Sequence, residues 1–146
     1  MDRTAATRKI LDAKLRLKLT WADIAQSIGR SEVWTTAACL GQATCSQDDI
    51  KKLAEIMDLP KEELEILATV PYRGRSEVIP QDPTIYRLYE ILLVYGDTIK
   101  ELIHEKFGDG IMSAIDFTMD IDKKTDPAGD RVVVTMNGKF LPYKKW

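Results

Sequence analysis

Two charged side chains interrupt the most apolar helix that the sequence predicts, and they are the first candidates for chemistry. Arg87 and Glu90 lie within residues 83–95, where almost every other residue is apolar or aromatic. A spacing of three residues places them side by side on one face of a helix. A helix that is apolar on all sides must be covered on all sides. Two charges on such a helix are costly unless they pair or bind a ligand.

The pair of Arg87 and Glu90 has two interpretations. By spacing alone, a structural ion pair that fixes helix packing is the more common one. The functional interpretation is an anion site, because arginine stays ionised when it is partly buried and its planar guanidinium matches carboxylate-like oxygens. In that case Glu90 would orient Arg87 or handle a proton, since a carboxylate beside a bound anion would repel it.

Ser113 is the third candidate. It lies on the apolar side of a predicted strand, directly after Gly108-Asp109-Gly110. A lone serine in such a place is usually a small filler whose hydroxyl bonds to backbone. The functional interpretation is a hydroxyl donor to an anion in a dry pocket, where the preceding glycines let backbone N–H groups approach the same ligand. One chain supplies one copy of each candidate, so a site for two anions would need donors from several subunits.

The other reactive side chains predict neither a metal site nor a bound cofactor. His104 lies near a predicted helix end, and we expect a partner of the helix dipole or a surface residue there. Cys39 and Cys45 flank Gly41, and the single histidine is far away. That spacing fits neither a disulfide framework nor a zinc site. We therefore expect two reduced thiols in a cytoplasmic protein.

The composition excludes several classes of partner. Of the 146 residues, 45% are hydrophobic, which is enough for a real core, and the net charge is −2. That charge gives no general attraction to nucleic acid or to anionic membranes. The N-terminus is charged and lacks the apolar segment of a signal peptide. The longest apolar stretch, residues 91–95, is far too short to cross a bilayer.

The pattern of elements predicts an α+β fold in two domains. Residues 1–75 are predicted to form an N-terminal helical bundle that resembles a helix-turn-helix domain. Residues 76–146 are predicted to form a C-terminal domain of helix and β-hairpin, which serves dimerisation and catalysis. Two prolines and a glycine within residues 70–80 indicate an irregular linker between the two domains.

The first domain imitates a DNA-binding motif without its chemistry. Capping residues predict the starts of its second to fifth helices, at Thr20, Ser31, Ser46 and Pro60. A DNA-binding protein needs polar and basic side chains on its recognition helix. The corresponding helix, residues 31–40, has no Lys or Arg and contains Glu32, Val33 and Trp34. A transcription regulator is therefore the weaker alternative, and we expect this helix to pack in an oligomer.

The second domain is predicted to begin with two helices. Asp82 suits the N-cap position of the first helix, and Pro83 suits its first turn. Gly96 is predicted to end that helix, because glycine is common just past a helix C-terminus. Asp97 is then predicted to cap a second helix that stops at Gly108.

Three strands are predicted after these helices. Apolar residues alternate from 113 to 121, which predicts a strand with one buried face, formed by Ser113, Ile115, Phe117, Met119 and Ile121. Residues 126–130 predict a turn and residues 131–136 a second strand. Asn137-Gly138 is typical of a tight hairpin, here into a third strand over residues 139–143. So small a sheet leaves an apolar face and two edges open, so we expect it to pack against another subunit.

Several long segments closely resemble the cyanase (cyanate hydratase) family. The resemblance covers roughly residues 19–146 and is weak over the first eighteen residues. The segments that carry it are Pro80-Gln81-Asp82-Pro83-Thr84-Ile85-Tyr86-Arg87-Leu88-Tyr89-Glu90, Tyr95-Gly96, residues 104–117, Leu40-Gly41-Gln42, and Asn137-Gly138-Lys139-Phe140-Leu141-Pro142.

The resemblance implies an assembly and a set of site residues. The family forms interlocked dimers, five of which make a decamer, with active sites between subunits. By matching positions the resemblance implies Arg87, Glu90 and Ser113 as the catalytic residues. It implies no cofactor and no metal.

The resemblance also implies a reaction. Cyanate and bicarbonate combine, and the adduct loses carbon dioxide to leave carbamate, which falls apart to ammonia and a second carbon dioxide. Bicarbonate is then a co-substrate and the nucleophile, so the protein need not supply one. Small dianions such as oxalate are expected to inhibit by imitating the adduct. The implied roles are cyanate detoxification and nitrogen assimilation.

Overall fold

The computed structural model describes residues 2–73 and 79–146. The domain boundary predicted after residue 75 lies outside the described residues, as does part of the predicted linker. Contacts divide the chain into two compact units, Met1–Gly74 and Arg75–Trp146. The chain is an α+β protein with helices first and a helix and hairpin after them, which confirms the predicted fold class.

The first unit is helical. Its α-helices are α1 (Arg3–Arg16), α2 (Trp21–Ile28), α3 (Glu32–Cys39) and α4 (Gln47–Met57). The predicted fifth helix after Pro60 is wrong, because two short 3₁₀ helices, Lys61–Glu63 and Glu65–Ala68, take its place. Leu64 and Leu67 are nevertheless fully buried. The segment thus buries its two leucines with tighter 3₁₀ turns. Such turns are common as short connecting elements.

Side chains cap the helices of the first unit as the sequence predicts. The Thr20 hydroxyl accepts a hydrogen bond from the Asp23 N–H at 3.1 Å, and the Asp23 carboxylate accepts one from the Thr20 N–H at 2.8 Å. Ser31 caps α3 by accepting a bond from the Trp34 N–H at 3.2 Å. These caps satisfy backbone donors that a helix start leaves without partners. They fix where each helix begins.

Asp49 is a buried carboxylate of this unit with several hydrogen-bond donors around it. It caps α4 together with Ser46, and its side chain is only 4% exposed. The Arg30 guanidinium donates two hydrogen bonds to it, from Nε at 2.7 Å and from Nη2 at 3.0 Å, and lies over the Trp34 ring. Burial alone would raise the pKa of Asp49, but the hydrogen bonds from Arg30 and Ser46 outweigh burial and lower that pKa to about 2.

The second unit begins with one long helix, α5 (Pro83–Phe107). The Asp82 carboxylate caps it by accepting bonds from the N–H groups of Thr84 at 2.9 Å and Ile85 at 3.1 Å, as predicted. The predicted break at Gly96 and the predicted cap at Asp97 are wrong, because α5 runs through both positions. A single interior glycine costs only about 1 kcal/mol relative to alanine. The helix ends before Gly108, which has a φ of 91°.

The hairpin consists of β1 (Gly110–Lys124) and β2 (Arg131–Pro142), which pair in antiparallel fashion. The chain reverses between them, where a turn was predicted. The tight hairpin predicted at Asn137-Gly138 is wrong, since both residues lie inside β2 and pair with Thr118 and Phe117. The predicted second and third strands are therefore one strand. The Phe107 and Phe140 rings stack at 5.1 Å and hold the end of α5 against β2.

Helix α5 buries none of its residues within its own chain. Large apolar side chains are exposed along its whole length and include Leu92 at 55%, Leu93 at 67% and Val94 at 70%. The hairpin exposes more of them, including Val132 at 80%. Contiguous apolar surface on this scale marks a site of association. The predicted covering of this helix must therefore come from outside its own unit.

Replacing Asp49 with Asn should destabilise the first unit by about 2 kcal/mol at pH 7, because the pKa of Asp49 falls from 3.8 to about 2 on folding. A carboxyl with a lowered pKa stabilises the fold above its ordinary pKa. That stabilisation is lost as the pH falls from about 4 to about 2. Urea unfolding at one protomer concentration measures the difference between variant and wild type. The difference should shrink in that pH range.

The control is Asp48→Asn. Asp48 is 68% exposed and pairs with Lys52 at 2.7 Å on the helix surface. Such a pair contributes less than about 1 kcal/mol. An equal loss in the Asp48 and Asp49 variants, or a loss for Asp49→Asn that does not change with pH, would contradict the assignment.

Candidate active site

Arg87 and Glu90 form the predicted pair one turn apart on α5. The Arg87 Nε atom lies 3.5 Å from the Glu90 Oε1 atom. In the single chain the two side chains are 73% and 44% exposed. An ion pair so exposed contributes little to stability. The structure therefore brings these two candidates together, but it does not bury them with residues of the same chain.

Apolar side chains surround the charged pair. Ile91 is 42% exposed and Val94 is 70% exposed, and helical spacing places both beside Arg87 and Glu90. Once this surface is covered, the pair would lie in a dry environment of low dielectric. Electrostatic attraction between Arg87 and an anion is far stronger there than in water.

Ser113 is buried in β1, with 5% of its surface exposed. Its Oγ atom accepts hydrogen bonds from two backbone N–H groups, that of Ile115 at 3.1 Å and that of Asp116 at 2.9 Å. A serine hydroxyl has two acceptor lone pairs and one proton to donate. Both lone pairs are used within the strand, so the proton is left for an acceptor elsewhere. The hydroxyl is thus set as a donor.

A β-bulge creates this arrangement. Met112 pairs with Phe140 and Phe117 pairs with Gly138, so residues 113–116 lie opposite Lys139 alone. The bulge frees the amides that bind the Ser113 hydroxyl. It also breaks the predicted alternation. Within the single chain Phe117 and Met119 are half-buried, whereas Ile115 is 98% exposed and Ile121 is 57% exposed, so burial of these two isoleucines by another subunit stays a prediction.

The three candidates form two groups in a single chain. Within the described residues, Ser113 bonds to its own strand and Arg87 pairs within its own helix, with no hydrogen bond between the groups. The sequence argument missed the amides of Ile115 and Asp116 as members of the site. Strand alternation carries no signal for a bulge, so that pattern could not have revealed them.

His104 lies in the last turn of α5, as the sequence predicts. Its Nδ1 atom is 3.2 Å from the Lys100 ammonium nitrogen, and the side chain is half-buried. Both residues border a cleft of about 450 Å³ next to the start of β1. Lys100 and the helix C-terminus account for the contacts of His104, so it is not assigned a catalytic role.

The two cysteines are free and buried. Burial raises the pKa of the Cys39 thiol to about 12 and that of the Cys45 thiol to about 11. Both are neutral at physiological pH, so neither is a ready nucleophile. Among residues 2–73 and 79–146, no cluster of three or more His, Cys, Asp or Glu side chains is placed to hold a metal ion. The helices of this described part are too short or too polar to cross a membrane.

Comparison with known proteins assigns both halves of the chain to one family. Residues 3–71 match the model "Cyanate hydratase, N-terminal", and residues 77–145 match the model "Cyanate lyase C-terminal domain". The match begins at residue 3, so it includes residues 3–18, where the resemblance read from the sequence was weak.

Individual relatives agree over their full length. The cyanate hydratase of Marinomonas sp. (strain MWYL1) is 52% identical over 146 residues, which cover all of both chains. That of Polynucleobacter asymbioticus is 54% identical over 147 residues, again over all of both chains. The crystal structure of cyanase from T. urticae is 37% identical, with a TM-score of 0.85 over 94% of this chain and 96% of that chain.

The fold is thus that of a cyanase-like lyase. The chain belongs to the cyanate hydratase family, also called cyanate lyase, which confirms the predicted resemblance. The roles of Arg87, Glu90 and Ser113 stay predictions.

The raised pKa values of Cys39 and Cys45 predict unreactive thiols. At pH 8 their thiolate fractions should be about 10⁻³ or lower, so native protein should react very slowly with an aromatic disulfide such as Ellman's reagent. Protein unfolded in guanidinium should react rapidly and release two equivalents of the coloured thiolate product per chain, one for each cysteine. Rapid titration of either thiol in the native protein would contradict the buried, neutral state.

Proposed function

We propose that this protein decomposes cyanate with bicarbonate as co-substrate. One proton is taken up as cyanate and bicarbonate give carbamate and carbon dioxide. Carbamate then takes up a second proton and breaks into ammonia and carbon dioxide. The observation that carries the proposal is full-length identity of 52–54% to cyanate hydratases. The site residues that the family resemblance implies are all present.

The arrangement of donors supports a site for small anions. Arg87 contributes a permanent positive charge, and Ser113 contributes a hydroxyl whose lone pairs are already occupied. Bicarbonate supplies the attacking oxygen, so the protein needs no nucleophile of its own. Its task is to hold two like-charged ions together and to stabilise the doubly charged adduct. Preorganised donors of this kind are typically worth about 10²–10³ in rate each.

Glu90 is proposed as a positioning residue for Arg87. Its carboxylate lies on the Nε side of the guanidinium, at 3.5 Å, which leaves the two terminal nitrogens of Arg87 for an anion. That geometry keeps the negative charge of Glu90 off the substrate side. Because the overall reaction consumes protons, Glu90 is also the group in this pair that can relay one.

The complete site is proposed to lie between subunits of a homo-oligomer, a decamer of five dimers. Helix α5 buries no residue in its own chain, and Arg87 is 73% exposed there. Copies of Arg87 and Ser113 from neighbouring subunits would converge where α5 surfaces meet. Covering these surfaces removes water, which strengthens every charged contact inside.

The proposed setting is the cytoplasm, where the reaction removes toxic cyanate and supplies ammonia as a nitrogen source. DNA binding is not proposed. Helix α3 carries no Lys or Arg, and its Trp34 ring packs under Arg30 within the unit. No cofactor is proposed, since bicarbonate and the protein's own donors account for each step.

Ammonia release from cyanate should depend strictly on bicarbonate. The assay uses carbonate-free buffer, with and without added bicarbonate, and a coupled ammonia readout. Cyanate hydrolysis at an equal rate without bicarbonate would contradict the two-anion scheme.

Oxalate, which presents two separated negative charges like the adduct, should inhibit in the same assay, and calorimetry should detect its binding. Absence of oxalate binding would argue against a dianion site.

Replacing Arg87 with Leu should lower kcat/KM by about 10²–10³, because the adduct loses its charged donor. The matched variant Arg87→Lys keeps the charge but loses the planar fork, so it should retain more activity than Leu and less than wild type. Light scattering should find the same assembly for all three proteins. Near-normal turnover in Arg87→Leu would overturn the assignment.

A structural role for Arg87 makes the opposite prediction about assembly. If the pair with Glu90 only fixes packing, activity and oligomer should be lost together in Arg87→Leu. Measuring mass and turnover on the same samples separates the two interpretations.

A further inference from the structure

We propose that Gly138 is a positioning residue for Ser113. The inference rests on the proposed role of Ser113 as a donor to an anion. Gly138 has no side chain, and this lets β2 pass close against the bulge of β1. We infer that this close approach keeps the Ser113 backbone where both hydrogen bonds to its hydroxyl can form.

The packing around Gly138 is the first argument. A Cβ atom added to Gly138 would overlap the backbone oxygen of Ser113 and Cγ of Met112, inside the 3.0 Å that real Cβ atoms do not cross. The Met112 sulfur would lie 3.2 Å away. A methionine side chain can move aside, but a backbone carbonyl in a strand cannot do so alone. Ser113 would therefore have to shift with its strand.

The backbone conformation of Gly138 is the second argument. Among the glycines that the structure describes, those with positive φ are Gly29, Gly41, Gly108 and Gly129, and Gly138 is not one of them. Its conformation suits any residue, and it lies within a paired strand opposite Phe117. Neither a turn nor a left-handed conformation therefore requires glycine at this position. The requirement comes from the close approach to Ser113.

The hydrogen bonds of the Ser113 hydroxyl connect the packing of Gly138 with the proposed function of Ser113. Its Oγ atom is held by the amides of Ile115 at 3.1 Å and Asp116 at 2.9 Å. If the Ser113 backbone moves, these bonds lengthen and the hydroxyl can rotate to become an acceptor. An acceptor would repel an anion. A misplacement of about 1 Å at a reacting site can lower a rate by about a hundredfold.

The test compares Gly138→Ala with Ser113→Ala. Gly138→Ala should lower kcat/KM by about 10–100-fold and raise the KM of at least one anion, approaching the values of Ser113→Ala. Assembly should be unchanged in both variants.

The outcomes separate this inference from the proposed function. If Ser113→Ala has normal kinetics, the proposed role of Ser113 fails. If Ser113→Ala is impaired but Gly138→Ala is normal, only the inference about Gly138 fails.

A double variant distinguishes the two contacts of Gly138. Met112→Ala removes the side-chain overlap but leaves the overlap with the Ser113 carbonyl oxygen. Adding Met112→Ala to Gly138→Ala should therefore not restore the KM. Full recovery would assign the effect to Met112 and would overturn the role of Ser113 in it.

Hydrogen exchange on the wild-type protein provides a test if the Gly138 variants do not assemble. Residue-resolved mass spectrometry should find the amides of Ile115 and Asp116 protected, although Ile115 is 98% exposed. Both amides should exchange about tenfold faster or more in Ser113→Ala, which removes their acceptor. Fast exchange of both amides in the wild type would overturn the proposal.

Discussion

Helix α5 has apolar side chains around its whole circumference and buries none of them within its own chain. This constraint governs the rest of the second unit. It explains how a helix can present Arg87 and Glu90 among exposed isoleucine, leucine and valine side chains without a solvated face in the working protein. In the proposed oligomer, α5 is covered by other subunits, and it therefore carries its charges into the interface. There they are useful only if they face a ligand or each other.

Arg87 and Ser113, the two proposed donors, are prepared to bind an anion by different physical means. The Arg87 guanidinium is charged at any physiological pH, and Glu90 restricts its orientation from one side. The Ser113 hydroxyl is neutral and becomes a donor only because two amides occupy its lone pairs. One donor therefore depends on a helix surface and the other on a distorted strand. In the proposed site, the assembly brings copies of these two donors together from different subunits.

The sequence predicted those structural features that depend on contacts between residues close together in the chain. Asp82 caps α5 because its carboxylate reaches amides two and three residues away, which a sequence reveals. The prediction at Gly96 was wrong because a glycine inside a long helix looks like one at a helix end, and the prediction at Gly138 was wrong because its surroundings involve the opposite strand. An interior glycine is tolerated when the rest of a long helix is favourable, and Asn-Gly becomes part of a strand when the opposite strand needs space. Ser113 was correctly predicted as buried, but the bulge that buries it exposes Ile115, and alternation alone cannot foresee that.

The exposed surface of α5 also affects how the stability of the protein depends on its concentration. The first unit has its own closed core, with Ile10, Ile24, Ile50 and Leu53 almost fully buried. The second unit, in the proposed assembly, completes its core only by association. Its stability is then a function of protomer concentration, whereas that of the first unit is not. In a newly synthesised chain the first unit would be folded, while the second unit would still expose its apolar surface. Until that surface is covered by other subunits, aggregation would compete with assembly.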